Sequence, residues 1–192
     1  GMAVNYQLEL ERELQKNEGK TPRLLLHCCC APCSSYVLEY LSPHFSITAH
    51  YYNPNIDTPE EYAHRARELS RFVQEMPLPG AVDVLAEPYT PAEFYAAVKG
   101  LEDVPEGGRR CYECYRLRLR RAAQAAAAGG YDYFTTTLSI SPHKNAVWLG
   151  ELGEAFAAEY GVRWLPSDFK KKNGFKRSTE LAARYRPYRQ DY

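Results

Sequence analysis

Arg23-Leu-Leu-Leu-His-Cys-Cys-Cys-Ala-Pro-Cys-Ser-Ser-Tyr-Val-Leu-Glu-Tyr-Leu41 passes from an apolar run through a cysteine-dense turn into a helix-forming segment. Arg23 to His27 reads as a short strand. Val37, Leu38 and Leu41 fall at helical spacing behind Ser34, which suits an N-cap. The same rhythm continues downstream. Phe45 to Tyr52 alternates as a second strand. Thr58-Pro-Glu-Glu61 is a capping box with proline at the first helical position, and it opens a stripe of Tyr62, Ala66, Leu69, Phe72, Val73 and Met76. Ala81 to Leu85 reads as a third strand, and Thr90-Pro-Ala-Glu93 repeats the capping signature. Cys111 to Ala128 reads as a helix ending at Gly129-Gly130, Tyr133 to Ile140 as a fourth strand, and Ser141-Pro142 as the cap of a helix running to about Tyr160. Val162 to Leu165 completes five strands. Strands alternating with helices predict an α/β fold, a single Rossmann-like parallel sheet with helices on both faces.

Composition sets the frame around that reading. The chain has 192 residues, 45% hydrophobic and 25% charged, which suits one domain with a sizeable core. Gly19 to Pro22 punctuate a polar, helix-favouring N-terminus. The expected division is therefore an extension over residues 1–21, with Gly1 ahead of Met2 read as a scar of tag removal, and a catalytic domain over 22–192. Lys plus Arg and Asp plus Glu both number 24, which excludes a chain-wide cationic field. Charge is nevertheless segregated: residues 1–100 carry 8 basic and 13 acidic side chains, residues 101–192 carry 16 and 11. Arg116, Arg118, Arg120 and Arg121 form one basic group; Lys170, Lys171, Lys172, Lys176 and Arg177 with Arg184, Arg186 and Arg189 form another. With tyrosines interleaved, they fit a polyanion groove. No apolar run is long enough for a membrane span and the acidic N-terminus (Glu9, Glu11, Glu13) lacks the order of a signal peptide, so a cytoplasmic protein is expected; a monomer is expected as well.

Six cysteines occupy two tight groups, Cys28-Cys29-Cys30 with Cys33, and Cys111 with Cys114. A disulfide framework would spread them, whereas clustered thiols suit metals or redox chemistry. Four thiolates suit zinc or a [4Fe–4S] cluster. Zinc knuckles want two or more residues between ligands, so adjacent Cys29 and Cys30 favour a cluster, whose separate iron corners diverging side chains can reach. Cys111 and Cys114 lie three apart at a helix start, on one face. Arg118 follows on that face and could neutralise a cluster or a substrate phosphate; Tyr112 and Tyr115 could stack on a base.

A parallel sheet binds ligands at the carboxyl ends of its strands. At those ends lie His27 and the Cys28–Cys33 loop, Asn53 and Asn55 after the second strand, and Ser139, Ser141, His143 and Lys144 after the fourth. His27 and His143 are candidate acids. No glycine-rich phosphate loop and no flavin or nicotinamide motif is visible.

Read together, residues 24–35, Tyr-Tyr-Asn-Pro-Asn-Ile (51–56), Arg-Cys-Tyr-Glu-Cys-Tyr-Arg-Leu-Arg-Leu (110–119), Phe-Thr-Thr-Thr-Leu-Ser-Ile-Ser-Pro-His-Lys-Asn (134–145) and Ser-Asp-Phe-Lys-Lys-Lys-Asn-Gly-Phe (167–175) resemble the cobalamin-independent epoxyqueuosine reductases. The resemblance spans about residues 22–192. It implies a fold related to adenine-nucleotide hydrolases and reduction of epoxyqueuosine to queuosine at the tRNA wobble position. It also implies a [4Fe–4S] cluster on Cys29, Cys30, Cys111 and Cys114, with an additional adjacent iron in some members, for which Cys33 is suited. Cys28 occupies a position the family does not require. Family members continue past the segment matching Arg189–Tyr192 with a redox-active Cys-Gly-Cys pair; these 192 residues end before it.

The expected partners are a tRNA anticodon loop and an electron donor of unspecified identity. His27, His143 and Cys33 are the expected catalytic residues. Tyr112, Tyr115, Arg118, Asn53, Asn55, Ser139, Ser141, Lys144, Lys170, Lys171, Lys172 and Arg186 are the expected substrate contacts. The competing readings are a zinc-stabilised RNA-binding module and a tRNA sulfur-transfer enzyme carrying persulfide on Cys29 or Cys114.

Overall fold

A computed structural model describes residues 5–140, 145–166 and 174–185. Strand β1 (Arg23–Cys28) lies between β2 (Ser46–Tyr51) and β4 (Tyr133–Thr136). Strand β3 (Val82–Ala86) borders β2, and β5 (Arg163–Trp164) borders β4, giving the parallel order β3-β2-β1-β4-β5. This is the doubly wound arrangement expected. The order reverses between β1 and β4, so the crevice beyond their carboxyl ends is where such a sheet takes its ligand.

Strand parity sorts β1 between two cores. Leu24, Leu26 and Cys28 pack with Val37, Leu38 and Leu41 of α2 (Ala31–Leu41) and Leu69 of α3 (Pro59–Glu75). Leu25 packs on the opposite face, against Tyr115, Leu119, Ala122 and Ala126 of α5 (Arg109–Ala128) and Leu149, Leu152 and Phe156 of α6 (Ala146–Tyr160). A short helix α4 (Pro91–Ala97) buries none of its residues. Gly153 lets α6 reach β5, because a Cβ there would lie 2.2 Å from the Trp164 ring.

Several boundaries differ from expectation, each for a local reason. Helix α2 starts at Ala31, with Cys30 rather than Ser34 at the N-cap; Pro32 is preorganised for the first turn, and the Ser34 hydroxyl turns back to donate to the Cys30 carbonyl at 2.6 Å. Strand β4 ends at Thr136 because Leu138–Ile140 coil into a 3₁₀ turn, where the Leu138 N–H is taken by Thr136 Oγ1. Asn145, not Ser141, caps α6, accepting from the Trp148 N–H at 3.0 Å. Thr58 caps α3 as expected, whereas Thr90 makes no cap bond.

The segment ahead of residue 22 packs on the domain. Helix α1 (Tyr6–Lys16) places Leu10, fully buried, in the α2-side core, and Asn17 donates to the Tyr133 hydroxyl at 3.0 Å. A seventh helix, α7 (Gly174–Tyr185), was not anticipated; it packs on α2, with Leu181 against Phe72 and Met76 and Arg177 bidentate on Glu39 at 2.9 Å.

Candidate metal centre at the strand switch point

The turn between β1 and α2 fits Cys29, Cys30 and Cys33 into a small volume: their sulfurs all lie within 4.8 Å of one another. Cys30 is the N-cap and Cys33 sits in the first turn of α2, so the helix geometry brings the latter's thiol back over the former. The Cys29 thiol is held well below its usual range, first by hydrogen bonding from Cys30, then from Cys33, with Thr137 also contributing. Cys30, as donor to Cys29, is pushed the other way. The trio therefore favours one thiolate, on Cys29. Thr137, just past β4, anchors it from across the crevice, its Oγ1 lying 3.6 Å from the sulfur.

Cys28 differs from its neighbours. It is the last residue of β1, fully buried on the α2 side, and burial pushes its thiol up to about 12. It is an apolar core residue in effect.

Cys111 and Cys114 stand in the opening turns of α5. Cys114 is buried, and the Cys111 sulfur accepts the Gly107 N–H at 3.3 Å. Cys29 and Cys111 pack against the same α5–α6 core, whereas Cys33 packs against the α2-side core. The two cysteine groups do not form one tight set: the 4.8 Å group among the described residues is Cys29, Cys30 and Cys33, whereas the expected ligand set pairs Cys29 and Cys30 with Cys111 and Cys114.

A buried polar layer supports this turn. His27 is fully buried; its Nε2–H donates to the Tyr52 carbonyl at 3.0 Å, which leaves Nδ1 to accept from the Thr136 hydroxyl at 2.9 Å. Burial first, then the charges of Arg118 and His50, drop its pKa to about 3. Both ring nitrogens are thus engaged, and His27 braces the ends of β1, β2 and β4. His50, its register partner on β2, meets Glu87 at 2.5 Å, and Arg121 of α5 clamps the same carboxylate at 2.7 and 2.8 Å. Burial would raise Glu87, but hydrogen bonds from His50 and Arg121 outweigh it and hold the carboxyl at about 2. Neither His50 nor Glu87 was singled out in the sequence. Glu87 follows the third strand directly, so the strand-end rule could have found it; His50 is visible only once pairing places it opposite His27.

The other expected contacts divide by burial. Tyr115 is 3% exposed and belongs to the α5–α6 core. Ser139 is likewise buried, and Asn53 is an internal brace, donating to the Cys28 carbonyl at 3.0 Å and accepting from Arg118 at 3.2 Å. Arg118 is buried, at 4% exposure. Tyr112 is half-buried, edge-on to Trp148 at 5.3 Å, and Asn55 is exposed. Ser141, His143, Lys144, Lys170, Lys171, Lys172 and Arg186 lie outside the described residues.

This crevice lies within the part of the chain that other proteins share. Residues 24–192 match the family model described as "Epoxyqueuosine reductase QueH". The chain belongs to that family. Relatives named Epoxyqueuosine reductase QueH include one from Streptococcus pyogenes, 42% identical over 98% of this chain and 76% of its own length. Another, from Staphylococcus epidermidis, is 40% identical over 98% and 82%. The QueH of Thermotoga maritima is 31% identical over 88% and 86%. Among solved structures, the U34-tRNA thiolase NcsA from Methanococcus maripaludis with its [4Fe-4S] cluster aligns at a TM-score of 0.40 and 12% identity, covering 92% of this chain and 72% of that one. Among the described residues, no helix is long and apolar enough to cross a membrane.

Proposed function

We propose that this QueH-family chain reduces epoxyqueuosine to queuosine at the wobble position of tRNA, using a [4Fe–4S] cluster. The observation that carries the reading is the set of three cysteine sulfurs within 4.8 Å at the strand switch point of a chain matching the family from residue 24 onward. The donor chemistry fits the group: soft thiolates suit iron–sulfur and zinc, and a buried arginine Nε with no hydrogen-bond partner, Arg118, offers positive charge nearby. Cys29, Cys30, Cys111 and Cys114 would hold the cluster, with Cys33 beside it as the ligand suited to an adjacent iron. When bound, the cluster would pass on the two electrons, drawn from an external donor, that opening and deoxygenating an epoxide require.

The chain's own residues do the rest. Thr137 and the His27–Thr136–Tyr52 bonds fix the turn that aims Cys29 and Cys30. The half-buried Tyr112 ring offers an edge of the crevice where an unpaired base could stack. Lys144, Lys170, Lys171, Lys172 and Arg186 would meet flanking phosphates. The proton for the leaving oxygen would come from His143, from His27 or from a water.

Anaerobic reconstitution followed by iron and acid-labile sulfide analysis, and mass spectrometry of digested tRNA after incubation with a strong reductant, tests the reading. A brown protein that converts epoxyqueuosine is the expected result. One zinc and no labile sulfide would favour the RNA-binding module instead and overturn it.

A further inference from the structure

Helix α5 is rich in arginine, and most of it is accounted for. Arg109 and Arg116 pair with Glu113, Arg120 with Glu159, and Arg121 with Glu87. Arg110, part-exposed, donates to the Glu102 carbonyl at 3.1 Å, and Arg118 differs from all of these. It is the one arginine of this helix that is buried, at 4% exposure, and among the described residues no carboxylate forms an ion pair with it. Its Nη1 donates to the neutral Asn53 at 3.2 Å, and among the described residues its Nε has no partner. A guanidinium cannot shed its proton, so a buried one needs an anion or remains a standing cost.

The position of Arg118 identifies the anion. It lies one helical turn after Cys114 and two after Cys111 on the same face, and helical side chains lean toward the N-terminus, so its stem points at those cysteines. From the other side, Asn53 ties it to the Cys28 carbonyl, immediately before Cys29. A tRNA phosphate cannot reach a guanidinium whose residue is only 4% exposed without opening the core. Thiolates are already inside. Four of them around an iron–sulfur cluster leave it with net negative charge, and each added electron deepens it.

We infer that Arg118 is the internal counter-charge of the cysteine-held cluster, acting as a positioning residue that makes the cluster easier to reduce. The inference rests on the cluster reading above. A fixed positive charge favours the more negative, reduced state and raises the potential. It also makes cluster binding relieve a cost already present in the empty protein.

The test uses anaerobically reconstituted wild type, Arg118→Lys and Arg118→Met, with the midpoint potential read by spectroelectrochemical titration and urea unfolding measured with and without the cluster. Arg118→Met should shift the potential more negative, while Arg118→Lys stays near wild type. Arg118→Met should leave the cluster-free protein as stable as wild type or more so, yet make the loaded protein less stable. If the Met variant does not fold, Arg118→Gln carries the same comparison. An unchanged potential, or equal losses of stability in both forms, would mean that Arg118 merely braces Asn53, and the inference fails alone. A potential at the wild-type value with weakened tRNA binding would assign the charge to a phosphate and overturn it equally. A wild type that takes up no cluster at all sinks this inference together with the reading beneath it.

Discussion

Replacing Glu87 by glutamine should weaken the fold in a pH-dependent way that can be calculated. The carboxylate receives His50 from β2 and Arg121 from α5, and it is held at about 2 against an ordinary 4.5. At about 1.4 kcal/mol per pH unit, that difference corresponds to about 3 kcal/mol. Arg121, however, has a side chain 43% exposed, so solvent screens its share, and about 1–2 kcal/mol is the expected net contribution. The folded-state pKa lies below the unfolded one, so the stabilisation is present above about pH 4.5 and drains away as pH falls toward 2. Urea unfolding of wild type and Glu87→Gln, under reductant and without metal, should show a gap of about 1–2 kcal/mol at pH 7, with more than half of it gone at pH 3. A gap that stays constant across this range would refute the idea that the carboxylate is ionised and held by its partners. The clamp also ties the ends of β2 and β3 to α5, whose opening turns carry Cys111 and Cys114, so its loss should loosen the candidate metal centre as well.

Leu10→Ala should cost about 2–5 kcal/mol in the same unfolding assay, because a fully buried leucine leaves a cavity in the α2-side core; a cost below about 0.5 kcal/mol, the range of surface substitutions, would show that α1 is only loosely attached. Cys33→Ala should keep the brown chromophore and tRNA binding but lose conversion of epoxyqueuosine, followed by mass spectrometry of the tRNA nucleosides. Full activity in that variant would reduce Cys33 to a structural thiol.

The sheet was legible because its signals are local. Apolar runs bounded by capping residues and glycines located all five strands, and the strand-end rule put the Cys28–Cys33 turn at the crevice. What was not legible depends on contacts distant in sequence. Helix α7 carries a polar sequence whose apolar anchor, Leu181, is meaningful only once Phe72 and Met76 of α3 are beside it. That His27 is bonded through both nitrogens, to Thr136 and the Tyr52 carbonyl, could not be read from its place at a strand end. Tyr115 and Arg118 look like surface contacts because a lone helix does not reveal which side the sheet covers. Leu10 sits in a segment polar enough to read as an appendage, and a single buried side chain ties it to the core.

The run Cys28-Cys29-Cys30 has a consequence for comparing this chain with relatives. Three identical letters make a gap inside the run score the same wherever it is placed, so an alignment alone cannot say which cysteine a shorter homologue has lost. The fold breaks the tie. Cys28 ends a strand and points into the α2-side core, Cys29 faces the opposite side, and Cys30 caps a helix. A chain with one cysteine fewer must either shorten the strand, which would turn its side chains to the other face, or fill position 28 with another apolar residue. Homologous positions should therefore be counted backward from the proline in the first turn of α2, not forward from the apolar strand.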